Sequence, residues 1–332
     1  MKLAIVGAAH QHVDYVLSEV THRSELELVA AVEPNPRLRA RYLNELNVPL
    51  YDDAEDLFAR HEVDIALVAG VYSERAAASA VALKAGAHIL ADKPLCTSLE
   101  QLETIRYAAQ TSDGQVSIMF AKRFTPEIIA LRRLLAEGTL GKIAMVASTG
   151  PHELRRTSRP RWFLDRSTYG GIAGDLPIHD IDLVLTLIRD QDGLPPSGQI
   201  SALAGNVRPD DHPSFDDHVA LLMRAGNVPA TIEASWLAPE ASEVSNHYRL
   251  RVTGSEGTAE IDWAYNRVTV ATHDRARWDE PLPPARRPVE TLVDDLLVGR
   301  DPEVGTSASF LATEVALKAQ FSAEHGGSVL SF

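Results

Sequence analysis

The segment 88–95 places a lysine where it could take part in catalysis, because an apolar run there ends in Asp92-Lys93-Pro94. The apolar run predicts a short buried strand, and a proline disfavours the helical conformation for the residue before it. We therefore expect Lys93 in an extended turn at the carboxyl edge of a sheet, where ligands bind in open α/β folds. Its ammonium group could stabilise negative charge that develops on a substrate oxygen. A solvent-exposed lysine after a strand is the plainer alternative.

A second set of reactive side chains lies in 174–182, GDLPIHDID. Pro177 and the apolar residues after it predict a helix that begins at about Asp175. Asp175 and His179 are four residues apart, so they share one face of that helix. An imidazole suits general base catalysis near neutral pH, and a carboxylate can orient it. The alternatives are that Asp175 is a helix cap and that His179 is a hydrogen-bonded core residue.

A strand pattern at 2–6 runs into the turn 7–12, which is followed by a helical pattern through Val20. Strand, turn and helix form the setting in which G-x-G-x-x-G binds a dinucleotide diphosphate at a helix amino terminus. Only the first glycine is present, because Ala9 and His12 occupy the positions of the other two. The residues expected to contact the cofactor in this turn are Gly7, Ala8, Ala9, His10, Gln11 and His12.

The next strand pattern, 26–32, ends at Glu33. A carboxylate at this position binds the adenosine ribose hydroxyls and favours NAD over NADP. A strand-end acid that faces water is the alternative, and the nearby Arg37 keeps NADP possible. The ends of two further strands would complete the cofactor site with Ala69, Gly70, Val71, Asp92 and Lys93.

The remaining patterns divide the chain into two parts. In the first part, strand patterns at 2–6, 26–32, 64–69, 88–91 and 116–120 alternate with helical patterns at about 37–46, 53–61, 74–86 and 98–110. This alternation predicts a doubly wound parallel sheet. In the second part, a helix at 125–137 precedes strand patterns at 198–206, 217–224, 228–235, 246–254, 257–263 and 266–272, then helices at about 286–298 and 306–325. We expect an α/β domain over 1–122 and an α+β domain over 123–332.

Composition limits the classes of partner. The 332 residues carry a net charge of −14, which disfavours nucleic acid and anionic membranes, since both require a basic surface. The single cysteine, Cys96, excludes an internal disulfide and fits a reducing compartment. No apolar run reaches the roughly 18 residues that a membrane span needs. These observations predict a cytoplasmic protein.

Several linked motifs resemble the glucose–fructose oxidoreductase, inositol dehydrogenase and rhizopine-catabolism (Gfo/Idh/MocA) family, over essentially the whole chain. They are AGAHILADKPL at 85–95, FAKRFTP at 120–126, LGKI at 140–143 and GGIAGDLPIHDIDL at 170–183. Three features depart from the family pattern. The usual Glu-Lys-Pro is Asp92-Lys93-Pro94, the glycine turn contains Ala9 and His12, and 70–71 is not Thr-Pro.

The resemblance implies an N-terminal Rossmann domain and a C-terminal α+β domain with a large, open, mostly antiparallel sheet. The free face of that sheet would form a homodimer or homotetramer. The implied activity is hydride transfer between NAD(P) and a secondary alcohol or ketone of a sugar or polyol. Asp175 and His179 match the family's Asp-x-x-x-His and would join Lys93 as the catalytic set.

Further substrate contacts are expected from Lys122 and His152, which match family positions. Trp162 could stack on a sugar ring. It lies in the arginine-rich segment 151–169, which is either a mobile loop that grips an anion or a solvated loop. The remaining histidines show no metal-ligand spacing, and we assign no metal. Two other classes stay open: a hydrolase or lyase that oxidises its sugar transiently with NAD, and a non-catalytic ligand-binding protein on the same fold.

Overall fold

The computed structural model describes residues 1–210, 212–242, 244 and 247–332, and its contacts divide the chain into two compact units. Unit 1 comprises Met1–Met119, Ser167–Gly170 and Arg287–Thr313. Unit 2 comprises Phe120–Arg166, Gly171–Arg286 and Glu314–Phe332. Each unit is therefore assembled from segments that are distant in sequence. Across the described residues, the helices are too short or too polar to cross a membrane.

Unit 1 contains a six-stranded sheet in the order β3-β2-β1-β4-β5-β6, in which every neighbouring pair is parallel. The strands are β1 (Lys2–Val6), β2 (Glu27–Val32), β3 (Leu50–Tyr51), β4 (Ile65–Val68), β5 (His88–Ala91) and β6 (Val116–Ile118). The strand order reverses at β1, so the carboxyl ends of β1 and β4 flank the crevice in which ligands bind in this kind of sheet. The predicted doubly wound sheet is confirmed.

The helices of unit 1 cover this sheet. They are α1 (Val13–His22), α2 (Pro36–Tyr42), α3 (Ala54–Arg60), α4 (Arg75–Lys84), α5 (Leu99–Gln110) and α10 (Pro288–Leu297). Asn35, Asp53 and Ser98 each accept a hydrogen bond from a backbone amide in the first turn of α2, α3 and α5, as N-caps do. The apolar face of α10 packs into the same core as β1 and β4, which places a late segment of the chain against the first strands.

Unit 2 contains a nine-stranded sheet in the order β14-β13-β12-β11-β7-β10-β9-β8-β15. Its strands are β7 (Ile143–Pro151), β8 (Gly198–Gly205), β9 (His218–Ala225), β10 (Val228–Ser235), β11 (Arg249–Gly254), β12 (Gly257–Asp262), β13 (Arg267–Thr272), β14 (Trp278–Asp279) and β15 (Leu330–Ser331). Among the strands described, β7 and β10 form the one parallel pair, and the other pairs are antiparallel. The predicted mostly antiparallel sheet is confirmed.

The two faces of this sheet differ in exposure. Along β9, Leu221 and Met223 are buried, whereas Leu222 between them is 61% exposed. Such alternation is typical of an antiparallel sheet with one packed and one solvated face. The remaining helices are α6 (Pro126–Ala136), α7 (Arg166–Tyr169), α8 (Ile172–Asp175), α9 (Ile178–Asp192) and α11 (Thr306–Glu324). Ten of the residues of α9 are buried, which identifies it as a central element of the core of unit 2.

The prediction that one helix begins at about Asp175 is wrong. Helix α8 begins three residues earlier, at Ile172, and the regular helix is interrupted at 176–177 before α9 begins at Ile178. Pro177 has no amide proton to continue the ladder, and its carbonyl instead accepts from the amides at the start of α9. Asp175 therefore ends the short helix α8, and His179 lies in the first turn of the next helix, α9.

Candidate active site

The turn after β1 requires a glycine at its first position. Gly7 has φ +82°, and a Cβ atom there would lie 2.4 Å from the Cα of Gly70. The Gly7 amide donates to the carbonyl of Val32 at 2.8 Å, and the Ala9 amide donates to the carbonyl of Ala69 at 2.9 Å. The turn is thus held against the ends of both β2 and β4. This close backbone approach beside the amino terminus of α1 fits a dinucleotide.

Glu33 is anchored at the carboxyl end of β2. It is 4% exposed, and its Oε2 accepts from the Ala8 amide at 2.6 Å while its Oε1 accepts from the Asn35 amide at 2.9 Å. The carboxylate therefore ties the turn to the start of α2. Each oxygen can accept a second hydrogen bond, so the ribose contact predicted for Glu33 stays a prediction that this geometry permits.

Asp92 lies fully buried beneath the two histidines of the turn. Its Oδ1 is 2.7 Å from Nδ1 of His12, and its Oδ2 is 3.2 Å from Nδ1 of His10 and 3.1 Å from the guanidinium of Arg75. Burial by itself would raise the pKa of Asp92, but the charges of His12, His10 and Arg75 hold it well below its usual range. The carboxylate is therefore ionised, and it lies beside His10 and beside His12, which stands where the turn usually has its third glycine.

Arg75, at the start of α4, clamps the segment that carries Lys93. Its guanidinium has no exposed surface and donates to the carbonyl oxygens of Gly70, Asp92 and Pro94 at 2.8, 2.8 and 2.9 Å. It also lies 4.4 Å from the centre of the Tyr72 ring. Lys93 is 6% exposed and its peptide bond to Pro94 is cis. Sequence reasoning missed Arg75, although an arginine that opens an alanine-rich helix is an unusual feature.

The cluster of His10, His12 and Asp92 could also be considered for a metal. One potential ligand atom from each residue lies within 4.8 Å of the others. However, the carboxylate already receives the positive charge of Arg75, and the Nδ1 of His12 is at hydrogen-bonding distance from it. We assign no metal to these residues.

Unit 2 contains the predicted pair Asp175 and His179. Asp175 ends α8 and is 1% exposed, and His179 lies in the first turn of α9, partly buried. The imidazole of His179 packs edge-on against Phe120, with 6.1 Å between the ring centres. Lys93 belongs to unit 1, and its place in one catalytic set with this pair stays a prediction.

A buried ion pair that the sequence analysis missed holds Lys122 in unit 2. The Lys122 ammonium donates to both carboxylate oxygens of Asp180 at 2.9 and 3.0 Å, and Ser148 donates to the same carboxylate at 2.7 Å. The ammonium also lies 4.6 Å from the ring centre of Tyr248 and 5.4 Å from that of Trp263. The acid adjacent to His179 in sequence thus orients one of the predicted substrate-contacting lysines.

His152 follows β7 and lies between two aromatic rings. Its Nδ1 is 3.1 Å from the carbonyl of Gly150, which indicates that Nδ1 carries the proton and that Nε2 accepts from the hydroxyl of Tyr248. The ring centres of Trp236 and Tyr248 lie 5.3 and 4.7 Å away. Burial, together with the negative charges of Asp180 and Asp175, raises the pKa of the Tyr248 phenol. Tyr248 is therefore a neutral hydroxyl that the sequence did not single out.

The arginine-rich segment 151–169 is packed rather than simply solvated. Arg159 lies 4.3 Å from the ring centre of Phe163 and 4.8 Å from that of Trp236. Trp162 is partly buried and packs edge-on against Phe163 at 5.8 Å. Arg155 pairs with Glu153 at 3.0 Å and Arg166 pairs with Glu324 at 2.6 Å. Arg155, Arg159 and Arg166 thus make contacts within unit 2.

Two family models match this chain. The model described as the oxidoreductase family with an NAD-binding Rossmann fold matches residues 1–120, and the Gfo/Idh/MocA C-terminal domain matches residues 128–260. A protein of Amycolatopsis mediterranei, assigned as the oxidoreductase subunit of UDP-kanosamine synthase, is 29% identical over 284 residues, which cover 79% of this chain and 75% of that protein. D-glucoside 3-dehydrogenase of Escherichia coli is 26% identical over 193 residues, or 57% of this chain and 54% of that enzyme.

Solved structures share the fold at lower identity. A protein of Thermotoga maritima assigned as an oxidoreductase superimposes with a TM-score of 0.89 over the whole of both chains, at 23% identity. The six-stranded parallel sheet and the glycine-dependent turn are features of an NAD-binding Rossmann fold, which is the description of the family model matched over residues 1–120. The chain belongs to the Gfo/Idh/MocA family of NAD-binding oxidoreductases.

Proposed function

We propose that this protein is an NAD-dependent dehydrogenase that acts on a secondary alcohol of a sugar or polyol, or on the corresponding ketone. We infer the substrate class from a group of neutral and charged polar side chains that lie among aromatic rings in unit 2. Lys122, His152 and Tyr248 are fixed there by Asp180, Gly150 and each other. Such a mixture of aromatic surface and oriented hydrogen-bonding groups suits a ligand with several hydroxyls. The name of the D-glucoside 3-dehydrogenase relative supports the same class.

The residues around the first turn of unit 1 would hold the cofactor. Gly7 and Gly70 permit close backbone approach, and the amino terminus of α1 favours a diphosphate. Glu33, at the end of β2, favours an unphosphorylated adenosine ribose and hence NAD. When bound, the nicotinamide supplies the hydride acceptor, or the hydride donor in the reverse direction.

The protein would supply position, a base and charge stabilisation. His179 takes the hydroxyl proton of the substrate as general base. Asp175 orients the imidazole and stabilises its protonated form. Lys93 donates to the substrate oxygen and stabilises the developing alkoxide as its carbon loses hydride. Arg75 acts through Lys93, because it fixes the backbone on both sides of that lysine.

A panel assay tests this function. The purified protein is mixed with NAD⁺ or NADP⁺ and a set of cyclic sugars, glycosides and inositols, and net formation of the reduced cofactor is followed by absorbance. We expect net reduction of NAD⁺ with at least one polyhydroxylated substrate, and a smaller kcat/KM with NADP⁺. Substrate conversion without net nicotinamide reduction would contradict the proposal and indicate transient oxidation.

We also propose that the exposed face of the sheet in unit 2 joins copies of this chain into a homodimer or homotetramer. Leu203 and Leu222 are each 61% exposed on this sheet. A groove of about 340 Å³ beside β11–β13 is lined by Arg249, Arg251, Arg267 and Arg277, among others, and suits the surface of an acidic chain. Light scattering should show an oligomer that Leu222→Glu dissociates, and a monomeric wild type would contradict the proposal. A cytoplasmic location stays a prediction.

A further inference from the structure

The turn between β1 and α1 uses most of its own backbone donors inside unit 1. Three consecutive amides of this turn donate to other segments: Gly7 to Val32, Ala8 to the Glu33 carboxylate and Ala9 to Ala69, at 2.8, 2.6 and 2.9 Å. The His12 amide is directed at Nδ1 of His10, at 3.4 Å. A dinucleotide turn normally offers such amides to the diphosphate. Side-chain donors of the turn would therefore contribute to binding the diphosphate.

A neutral His12 imidazole that donates from Nδ1 has no donor at Nε2. Its Nδ1 lies 2.7 Å from Oδ1 of the ionised Asp92, so this nitrogen carries the proton. The other nitrogen, Nε2, lies on the opposite side of the ring and then presents a lone pair. With Nδ1 donating to Asp92, only the doubly protonated ring also donates from Nε2.

We propose that His12, with His10 beside it, binds the diphosphate of the dinucleotide through Nε2–H, and that cofactor binding therefore takes up a proton. This inference rests on the proposed cofactor site and adds a recognition device to it. It also gives one purpose to two departures from the family sequence pattern, because His12 of the turn and the aspartate of 92–94 act together. A charge-assisted hydrogen bond from an imidazolium replaces part of the donor set that backbone amides would supply.

The charges that face the histidine pair determine the direction of the pH dependence. Burial lowers the pKa of His10, Asp92 opposes this effect, and the charges of His12 and Lys93 add to it. Arg75 contacts Oδ2 of Asp92, the oxygen that also lies near His10, and Tyr15 stacks on His12 with 5.2 Å between ring centres. A diphosphate bound at Nε2 favours the protonated ring of His12, whereas burial keeps His10 neutral in the free protein. Cofactor affinity is therefore highest at low pH and falls as pH rises through the imidazole range.

Isothermal titration calorimetry of the full chain tests this proposal without any turnover. NAD⁺ and ADP-ribose are titrated at pH values between about 6 and 8, in two buffers with different ionisation enthalpies. For wild type we expect Kd to rise about tenfold over this range for both ligands, with a buffer-dependent heat that reports proton uptake. His12→Gln should bind more weakly at pH 6 and lose most of the pH dependence. His22→Gln, at the exposed end of the same helix, should behave as wild type.

Three outcomes would overturn the proposal. A wild-type Kd that stays constant within about twofold, without buffer-dependent heat, would show that no proton is taken up. Full pH dependence in His12→Gln would place the titrating group elsewhere. Loss of the pH dependence after EDTA treatment would assign it to a bound cation. In each case NAD⁺ still binds, whereas an absence of binding at every pH would overturn the proposed function as well.

If His12→Gln fails to fold, a measurement on the wild type still tests the proposal. Long-range ¹H–¹⁵N NMR spectra distinguish the imidazole tautomers and the imidazolium. We expect neutral rings at pH about 7.5 in the free protein and at least one imidazolium among the two turn histidines when ADP-ribose is bound. Unchanged ring states on binding would contradict the inference.

Discussion

Gly7 shows how a single residue sets the shape of the cofactor turn. It combines a left-handed backbone with direct contact against Gly70, so any side chain would strain the backbone and collide with the end of β4. Gly86 offers a matched comparison in the same unit, because its φ of +88° is similar but nothing lies within 4 Å of a built Cβ. Comparing alanine substitutions at the two glycines therefore separates the free-energy cost of the left-handed backbone from the cost of the collision with Gly70.

We predict that Gly7→Ala abolishes NAD⁺ binding and lowers the free energy of unfolding by more than Gly86→Ala does. Gly86→Ala should cost about 1–2 kcal/mol, the value for a left-handed residue with a side chain. Urea unfolding and cofactor titration measure the two effects. Equal losses in both variants would show that the contact with Gly70 is unimportant.

Lys93→Ala should lower turnover by about 10²-fold or more, because one donor to the developing alkoxide is lost. Lys84→Ala is the control, since Lys84 is exposed at the end of α4. Steady-state kinetics with a substrate from the panel provide the measurement. Wild-type turnover in Lys93→Ala would remove this lysine from the catalytic set.

Cys96 should be inert in the folded protein. It is 1% exposed, and burial raises the pKa of its thiol to about 12, so the reactive thiolate is scarce at neutral pH. We expect no reaction with a thiol reagent at pH 8 until urea unfolds unit 1, followed by one reactive thiol per chain. Rapid labelling of the native protein would contradict the buried position.

At the level of elements, α4 and the segment after β5 form one structure through Arg75. Removing either partner of the Arg75–Asp92 pair leaves a buried charge uncompensated, so Arg75→Met and Asp92→Asn should each cost about 3–5 kcal/mol in the free energy of unfolding. The double variant should cost less than the sum of the single ones. Additive losses in urea unfolding would show that the pair is not coupled.

The same pair gives a pH dependence with a defined sign. Because the folded-state pKa of Asp92 lies well below its usual value, its contribution to stability is complete above about pH 4 and is lost as pH falls towards the folded pKa. Acid titration of the wild type should therefore show stability falling below about pH 4. In Asp92→Asn this part of the loss should be absent.

The sequence predicts the bounds of a strand best where residues such as glycine and proline mark both ends of a short apolar run. The run at 88–91 is β5 to the residue, since Gly86 and Pro94 delimit an apolar stretch too short for a helix. The small strands β3, β14 and β15 carry two residues each and have no pattern to detect. An amphipathic pattern at 288–297 indicates a buried face, but the pattern cannot name the strands of unit 1 that α10 packs against.

Site residues that depend on pairing in space were harder to find. Lys122 and His152 could be proposed from motif matches, whereas Asp180, Ser148 and Tyr248 become significant only when β7, β11 and α9 bring them together. Arg75 likewise gains its role from three carbonyl oxygens that are distant in sequence. Spacing along one element predicts neighbours on that element, but contacts between elements follow from the fold.

At the scale of the whole molecule, a bound cofactor should raise the free energy of unfolding, because the chain belongs to an NAD-binding family. NAD⁺ at about 100 times its Kd should add about 2.7 kcal/mol to the free energy of unfolding, by mass action. We expect the thermal midpoint to rise with NAD⁺ and to rise less with NADP⁺ at the same concentration. A larger shift with NADP⁺ would show that Glu33 does not select the cofactor.

We propose that His179 takes the substrate proton as hydride leaves for the nicotinamide, and the pH–rate profile of His179→Ala is the sharpest test of this role. With a substrate from the panel and saturating NAD⁺, we expect turnover of His179→Ala to fall by about 10²–10⁴-fold. The wild-type kcat should decline at low pH, because a protonated imidazole cannot accept the proton. We expect this decline to disappear in the variant. Wild-type turnover with an unchanged pH profile would show that His179 is structural and would contradict the assignment of the site.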